Sequence, residues 1–388
     1  MNLSQQAREK LNMNLPLMSI AFELSDKKWK LQFEHRGRVR VVDLRAGDLQ
    51  LLDEAIDAAL KKIGLDRNCQ IVTCYEAGRD AFWIHRCLTA RGFVSLIIDS
   101  SSIEVPRRHR RKKTDRVDVG KLSALLKRWL GGEEGMWSLV HPPSEEDEDE
   151  RRPHRELERL KKERTAHVNR LKSLLVAQGA RLGGEKFEEA RPEVTPEFLE
   201  DLNRTRDWSG KELGSYLITE LTREFQRWKL VAEQIVALEK EQLQRIKKQA
   251  DKAASQAASL MELKGVGPVC ATILAYEFFG WREFENRRQV ASLAGLAPTP
   301  YASGDSEREQ GISKAGNRRV RRIMIEISWL WLRYQPNSEI TLWFNERFSG
   351  GKRGRRIGIV GVARRLLVDF WRYLDRGVVP EGAVFKKA

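Results

Sequence analysis

Apolar residues along this chain change period several times, and each change marks an element. Between residues 16 and 44 they predict three short strands. Leu17 to Glu23 is apolar, Trp29 to Phe33 alternates, and Arg38 to Leu44 alternates again around Val39 and Val41. Turn-like breaks at Asp26-Lys27-Lys28 and His35-Arg36-Gly37 make the trio a meander. The period then lengthens to that of a helix, with Leu49, Leu52, Ile56, Leu60 and Ile63 on one face from about Gly47 to Ile63. Gln70 to Tyr75 predicts a fourth strand ending at Glu76, a helical stretch follows with Phe82, Trp83 and Ile84, and Phe93 to Ile98 predicts a fifth strand. Strands that alternate with helices imply crossovers and parallel pairing.

Three antiparallel strands, helix, strand, helix, strand, helix is the element order of a ribonuclease-H-like fold, expected here over residues 16–135. Residues 136–150 read as an acidic linker, because SEEDEDE, Ser144 to Glu150, follows Pro142 and Pro143. From Arg151 to Gln178, Leu157, Leu160, Leu171, Leu174 and Leu175 recur at heptad-like spacing. From Lys211 to Lys248, Leu221, Trp228, Val231, Ile235 and Leu238 form a second stripe. Two such helices joined by the 179–210 segment predict an antiparallel coiled-coil arm over residues 151–250, with Arg164 interrupting its first seam. Short helices and Gly- and Ala-rich turns predict a mainly helical C-terminal domain over residues 255–380. The expected class is therefore α/β plus all-α.

Composition narrows the partner. At 388 residues the chain can form two or three domains, and 41% hydrophobic with 32% charged residues suits a folded protein. Seventy Lys and Arg against 55 Asp and Glu give a net charge of +15. That excess favours a polyanion, most commonly nucleic acid, although basicity for solubility alone is the other reading. Cys69, Cys74, Cys87 and Cys270 follow no zinc or disulfide spacing. MNLSQQAREK has no apolar signal core and no run is long enough for a bilayer, so the expectation is a cytoplasmic protein with no membrane partner.

Four carboxylates fall where chemistry is built in such a fold. Glu23 closes the first strand, Glu76 closes the fourth, and Asp115 and Asp118 in KKTDRVDVGKL start a predicted helix three residues apart, on one face. Strands one and four are neighbours in a ribonuclease-H-like sheet and the last helix crosses their ends, so these side chains can converge. Clustered carboxylates call for a cation, and Mg²⁺ takes hard oxygen ligands. Taken alone, the Asp pair reads better as an N-cap-region residue favoured by the helix dipole, Asp115, and a solvated surface residue, Asp118; four acids at four fold-appropriate positions reverse that preference. Upstream, RRHRRKK, Arg107 to Lys113, includes Arg110, Arg111, Lys112 and Lys113, which suit a phosphate-bearing substrate or a solvated loop.

Towards the C-terminus, LKGVGP at residues 263–268 resembles the turn of a helix-hairpin-helix. Gly265 and Gly267 would let backbone N–H groups approach a phosphate, and a plain helix-joining turn is the alternative. Ser303 lies in a Pro- and Gly-rich stretch read as a loop; by composition such a serine is an ordinary turn residue. Lys314, Arg318, Arg319, Arg321 and Arg322 give a basic helix start suited to a DNA backbone. GGKRGRR, residues 350–356, reads as a basic stretch preceding an amphipathic helix with Leu366, Leu367, Phe370, Trp371 and Leu374. Trp329, Trp331 and Tyr334, at helical spacing among Ile325, Ile327 and Leu330, fit core packing better than base stacking.

In order along the chain, SIAFE, CYEAGR, KKTDRVDVGKL, ELKGVGPVCATIL, LAGLAPTPYASG with GISKAGNRRVRR, and GKRGRR resemble the DEDD-type insertion-sequence transposases of the IS-one-ten group, relatives of pilin-gene DNA invertases. Both ends of the chain are covered, and only the coiled-coil middle is unmatched in detail. The resemblance implies a RuvC-like N-terminal domain, a coiled-coil arm and a C-terminal transposase domain. It carries the metal-binding acids onto Glu23, Glu76, Asp115 and Asp118, and the nucleophilic serine onto Ser303. One departure is that the family's first acid is usually Asp, where this chain has Glu23. The resemblance further implies a bacterial, nucleoid-associated recombinase that cuts and rejoins donor and target DNA through a phosphoserine, with Mg²⁺ and a structured bridge RNA as guide. It also implies a homo-oligomer, dimer or tetramer, held through the arm. A hydrolytic RuvC-like junction nuclease and a non-catalytic nucleic-acid-binding scaffold are the alternative functions.

Overall fold

Alternation along the N-terminal strands becomes one mixed sheet with both faces covered. The computed structural model describes residues 3–12, 14–103, 115–180, 199, 202, 204–303, 306–348 and 350–386, with the backbone alone at 101, 115–118, 300–303 and 306–310. The chain divides into two units, Met1–Ser144 and Glu145–Ala388.

After a short helix α1 (Leu3–Glu9), the first unit forms strands β1 (Leu17–Leu24), β2 (Lys28–His35) and β3 (Arg38–Arg45). Adjacent members pair antiparallel. Arg36 and Gly37, at φ 45° and 82°, make the two-residue turn that joins β2 to β3. Helix α2 (Leu49–Ile63) follows, its start capped by Asp48 and its end by Gly64 at φ 81°. Then come β4 (Gln70–Glu76), α3 (Ala81–Ala90), β5 (Val94–Ile98) and α4 (Asp115–Leu130). The strand order is β3-β2-β1-β4-β5, with β1, β4 and β5 parallel. Met18, Ile20, Phe22, Leu31 and Tyr75 pack with Leu52, Ile56 and Leu60 of α2 and Ile84 and Leu88 of α3. Ala21, Val72, Cys74, Leu96 and Ile98 point the other way, onto Val119, Leu122 and Leu126 of α4. Burial on both faces explains why β1 and β4 read as continuous apolar runs.

Residues Glu145–Glu150, within the stretch expected as an acidic linker, form a short helix with no buried residue, α5. Four acids in its first turn complement the helix dipole, which favours a helix over a free acidic strand. The arm follows as α6 (Arg152–Val176) and α7 (Ser215–Lys248). The second helix begins later than Lys211 because Asp207 Oδ1 accepts the N–H groups of Ser209 and Lys211, turning residues 207–211 back on themselves. Pairs Lys161–Glu239 and Arg170–Glu220, both 2.8 Å, fix the antiparallel direction. Two apolar patches make the seam. Leu157 and Leu160 meet Val231 and Ile235, while Leu171 and Leu175 meet Leu221, Phe225 and Trp228. Between them, His167 Nδ1 lies 2.7 Å from the buried carboxylate of Glu224, which also receives Arg227 at 2.7 Å.

The remainder is mainly helical: α8 (Lys252–Glu262), α9 (Pro268–Leu274), a π-helical stretch Ala275–Phe279 and α10 (Arg287–Leu293). A ribbon of β6 (Pro298–Ser303) and β7 (Ser306–Ile312) precedes α11 (Arg318–Tyr334), α12 (Glu339–Phe348) and α13 (Gly351–Arg376). Leu260, Leu274, Phe278, Ile327, Trp331, Phe344, Leu366 and Phe370 share one core. The GKRGRR stretch, expected to precede the last helix, lies inside α13; Lys and Arg are good helix formers. Gly358 in that helix seats α12, since a Cβ there would fall 2.4 Å from Phe348 Cγ. Of the three aromatic residues assigned to the core, Trp331 is fully buried, whereas Trp329 and Tyr334 are each 40% exposed. They sit off the Val320, Ile323, Ile327, Trp331 stripe of α11. No helix among the described residues is long and apolar enough to cross a membrane.

Candidate active site

Six β1–β4 pairs run in parallel register from Leu17 opposite Gln70 to Phe22 opposite Tyr75. One further step sets Glu23 beside Glu76, about 4.8 Å away across the ladder. Both continue the face of Ala21 and Cys74, which is the face α4 covers. Helix α4 runs against β1. Its Ser123 Oγ donates to Glu34 Oε2 at 3.0 Å and its Lys127 pairs with the same carboxylate at 3.2 Å, while Glu34 stands opposite Ser19 near the beginning of β1. The first residues of α4, Asp115 and Asp118, therefore lie towards the carboxyl end of β1, where Glu23 is the last residue but one. Glu23 and Glu76 thus stand side by side at the carboxyl ends of two inner strands, on the face that α4 covers and near which α4 begins. The side chains of Asp115 and Asp118 lie outside the described residues, as do Arg110, Arg111, Lys112 and Lys113. Among the described residues no three or more His, Cys, Asp and Glu side chains are grouped to hold a metal ion.

In the second unit, Ser303 ends a strand and is not in an irregular loop as expected. It pairs with Ser306 at the closing step of the β6–β7 ribbon, and residues 304 and 305 lie outside the described residues. Prolines had suggested a loop, but a two-stranded ribbon has two open edges where a missing N–H is tolerated, and the register is irregular between Pro298 and Pro300. A lone ribbon is marginal, so its base matters. There, Ser313 N–H donates to Ala297 O at 2.9 Å, Lys314 N–H to Gly295 O at 3.2 Å, and Asn317 N–H to Leu293 O at 2.8 Å. Arg321 Nη1 donates to the carbonyls of Ala294 and Lys314, at 3.3 and 3.0 Å.

Two glycines allow this interlock. Gly316, at φ 105°, would place a Cβ 2.3 Å from Leu293 O, and Gly295, at φ 68°, would place one 2.2 Å from Ala315 O. Gly316→Ala should therefore destabilise the protein by about 2 kcal/mol or more, clash adding to left-handed strain. Gly311→Ala is the comparison, because Gly311 has φ 87° with nothing within 4 Å of its Cβ position. Denaturant midpoints of the two variants measure the difference; equal midpoints would contradict the interlock.

The basic positions divide by what they touch. Arg319 Nε donates to Glu158 Oε2 at 2.8 Å and Arg321 holds the ribbon base, so both serve the fold, while Lys314 and Arg318 are exposed. The turn between α8 and α9 carries Gly265 at φ 97° packed towards Leu330 and Tyr334, with Gly267 open. Its outer groups are engaged by residues 384–386: Lys264 N–H donates to Val384 O at 3.0 Å, and Lys386 Nζ donates to Val266 O at 2.8 Å.

Sequence reasoning passed over Glu277, 1% exposed in the π-helical stretch. Burial by itself would raise its carboxyl pKa. Hydrogen bonds from His154 and Arg155 and the charge of Arg155 outweigh that and hold it well below the usual range. The available signal was one acid inside the apolar run ILAYEFFGW, because a buried carboxylate demands partners.

Comparison with known proteins finds a match to the profile described as "Transposase IS116/IS110/IS902 family" over residues 257–341. "Putative transposase y4rJ" of Sinorhizobium fredii is 38% identical over 99% of this chain and 98% of that protein. The "Transposase for insertion sequence element IS1328" of Yersinia enterocolitica is 27% identical over 45% of this chain and 50% of its own length. The "Transposase for insertion sequence element IS1111A" of Coxiella burnetii is 26% identical over 56% of each.

Proposed function

Because this chain belongs to the IS116/IS110/IS902 family of transposases and is a DNA strand-transfer enzyme, we propose that Ser303 is its nucleophile and that Glu23, Glu76, Asp115 and Asp118 form its acidic centre. Ser303 Oγ attacks a DNA phosphorus and the P–O3′ bond breaks. Serine gives up its proton, the departing 3′ oxygen takes one up, and a phosphoserine remains. The 3′ hydroxyl of another strand then displaces serine, restoring a phosphodiester. Each step exchanges one phosphate ester for another, so no outside energy is needed, and one difficult displacement becomes two easier ones.

What carries the serine assignment is its place in the family-matched segment 257–341, at the tip of a ribbon whose base is clamped by Gly295, Gly316 and Asn317. A ribonuclease-H-like, RuvC-type assignment of the first unit draws support from its strand order and from Glu23 and Glu76 side by side at the carboxyl ends of two inner strands, near the start of α4. Four carboxylates there fit Mg²⁺, a hard ion that takes oxygen ligands. When bound, it would neutralise them and stabilise charge on the attacking and leaving oxygens. In this reading the acids and the serine serve one phosphodiester, drawn from different subunits of a dimer or tetramer held by the arms, and a bridge RNA pairs with donor and target DNA. The +15 charge suits both nucleic acids.

Labelled element-end DNA incubated with the wild-type protein and Mg²⁺, then denatured, should leave label on the protein, with phosphoserine recovered on hydrolysis. EDTA should remove the signal, and so should ribonuclease treatment before DNA is added. Label released only as free 5′-phosphate ends would mean attack by water. Retention through EDTA would remove the metal from the scheme, and retention through ribonuclease would remove the guide.

A further inference from the structure

Glu277 joins two parts of the second unit that lie far apart in sequence. Its Oε1 accepts His154 Nε2 at 2.9 Å and Arg155 Nε at 2.7 Å; its Oε2 accepts Arg155 Nη2 at 3.0 Å and Asn317 Nδ2 at 3.3 Å. His154 and Arg155 belong to the first turn of α6, where the arm begins. Asn317 caps α11, its Oδ1 accepting the N–H groups of Arg319 at 2.9 Å and Val320 at 3.2 Å, and its own N–H closes the base of the β6–β7 ribbon on Leu293. A second link lies alongside. Glu158, one turn further along α6, accepts Arg319 Nε and pairs with Arg322 at 3.0 Å.

A buried carboxylate with this many partners is a poor device for stability alone, because apolar residues of equal volume commonly do as well. What it supplies is one geometry. The carboxylate is also held in a π-helical stretch, a local irregularity found often at functional sites. The arm's root and the ribbon's base thus meet through two carboxylates, Glu277 and Glu158, rather than in a slippery apolar contact.

We propose that Glu277 is a positioning residue for strand transfer, fixing the base of the Ser303 ribbon against the root of the arm so that the placement of Ser303 follows the placement of the arm. This rests on Ser303 being the nucleophile.

The test uses the full-length protein as wild type, Glu277→Gln, Asn317→Ser and the double variant. Serine remains a good helix cap but lacks the amide that reaches Glu277, so the second variant removes the link and keeps the cap. For each, DNA affinity, the single-turnover rate of adduct formation and the denaturant midpoint are measured. Each single variant should slow adduct formation by about 10-fold to 100-fold, the scale of an ångström-sized misplacement. DNA affinity should stay within about 3-fold, and the double variant should be no slower than the worse single one, because both break the same link. Unchanged rates, additive losses, or a rate that falls only as far as the folded fraction falls would each overturn the proposal. If Glu277→Gln does not fold, Asn317→Ser decides by the same rate and affinity. No adduct from the wild type would instead overturn the serine assignment, and the proposal with it.

Discussion

Ser303→Ala protein should bind DNA as the wild type does and form no covalent adduct, with strand transfer down by at least about 10⁴-fold, the scale on which a nucleophile's loss is felt. Only Oγ is removed. Ser303 is held by backbone pairing with Ser306, and the ribbon base is closed by residues 293–321, none of which changes. The variant's denaturant midpoint should therefore match wild type, which separates lost chemistry from lost structure. An adduct that persists in Ser303→Ala would remove this residue from the mechanism whatever else held.

Glu76→Gln and Asp118→Ala should each lower strand transfer by about 10²- to 10³-fold or more, the cost of removing one group that stabilises transition-state charge. DNA and RNA affinity should be little changed. Asp53→Asn is the control. Asp53 lies on α2, which packs on the sheet face opposite α4, and is paired with Arg91 at 2.9 Å; its loss should leave the rate within about 2-fold. In EDTA, Glu76→Gln should be no less stable than wild type, since like charges side by side repel when no cation is held. Full activity in either acid variant would dissolve the proposed centre. Calorimetry of Mg²⁺ binding supplies a second readout, and binding equal to wild type in Glu76→Gln would point the same way.

How much of this was legible in the sequence depends on where each signal came from. The first five strands and α2 were readable because their patterns are local: period two in β2 and β3, an apolar run bounded by turns in β1, β4 and β5, and a clean i, i+3, i+4 stripe in α2. Glu23 and Glu76 could be located because they close such runs. The arm was readable from leucine spacing, although its polar middle was not, since His167 and Glu224 find each other only across two helices. The helicity of residues 145–150 and the place of 351–356 inside the last helix were not legible for one reason: a run of charge outweighs helix propensity and the dipole in such a reading. Ser303 was misplaced because Pro298, Pro300 and Gly304 mark a loop in most settings, whereas here the strand pairs on one side only. Glu277 was missed altogether. Its partners His154, Arg155 and Asn317 lie 123, 122 and 40 residues away in the chain, and no local pattern encodes a contact at that range.

The pair of His167 and Glu224 in the middle of the arm has a mechanical meaning. Sliding α6 by a heptad along α7 would take His167 from that carboxylate and set leucine against it, leaving only Arg227 of its own helix as donor, at a cost of about 1–3 kcal/mol. Leucine seams alone tolerate such slippage. With its midpoint bolted, the arm behaves as a strut of fixed length, so a load applied at its far end arrives at His154 and Arg155 as a tilt instead of being lost in shear.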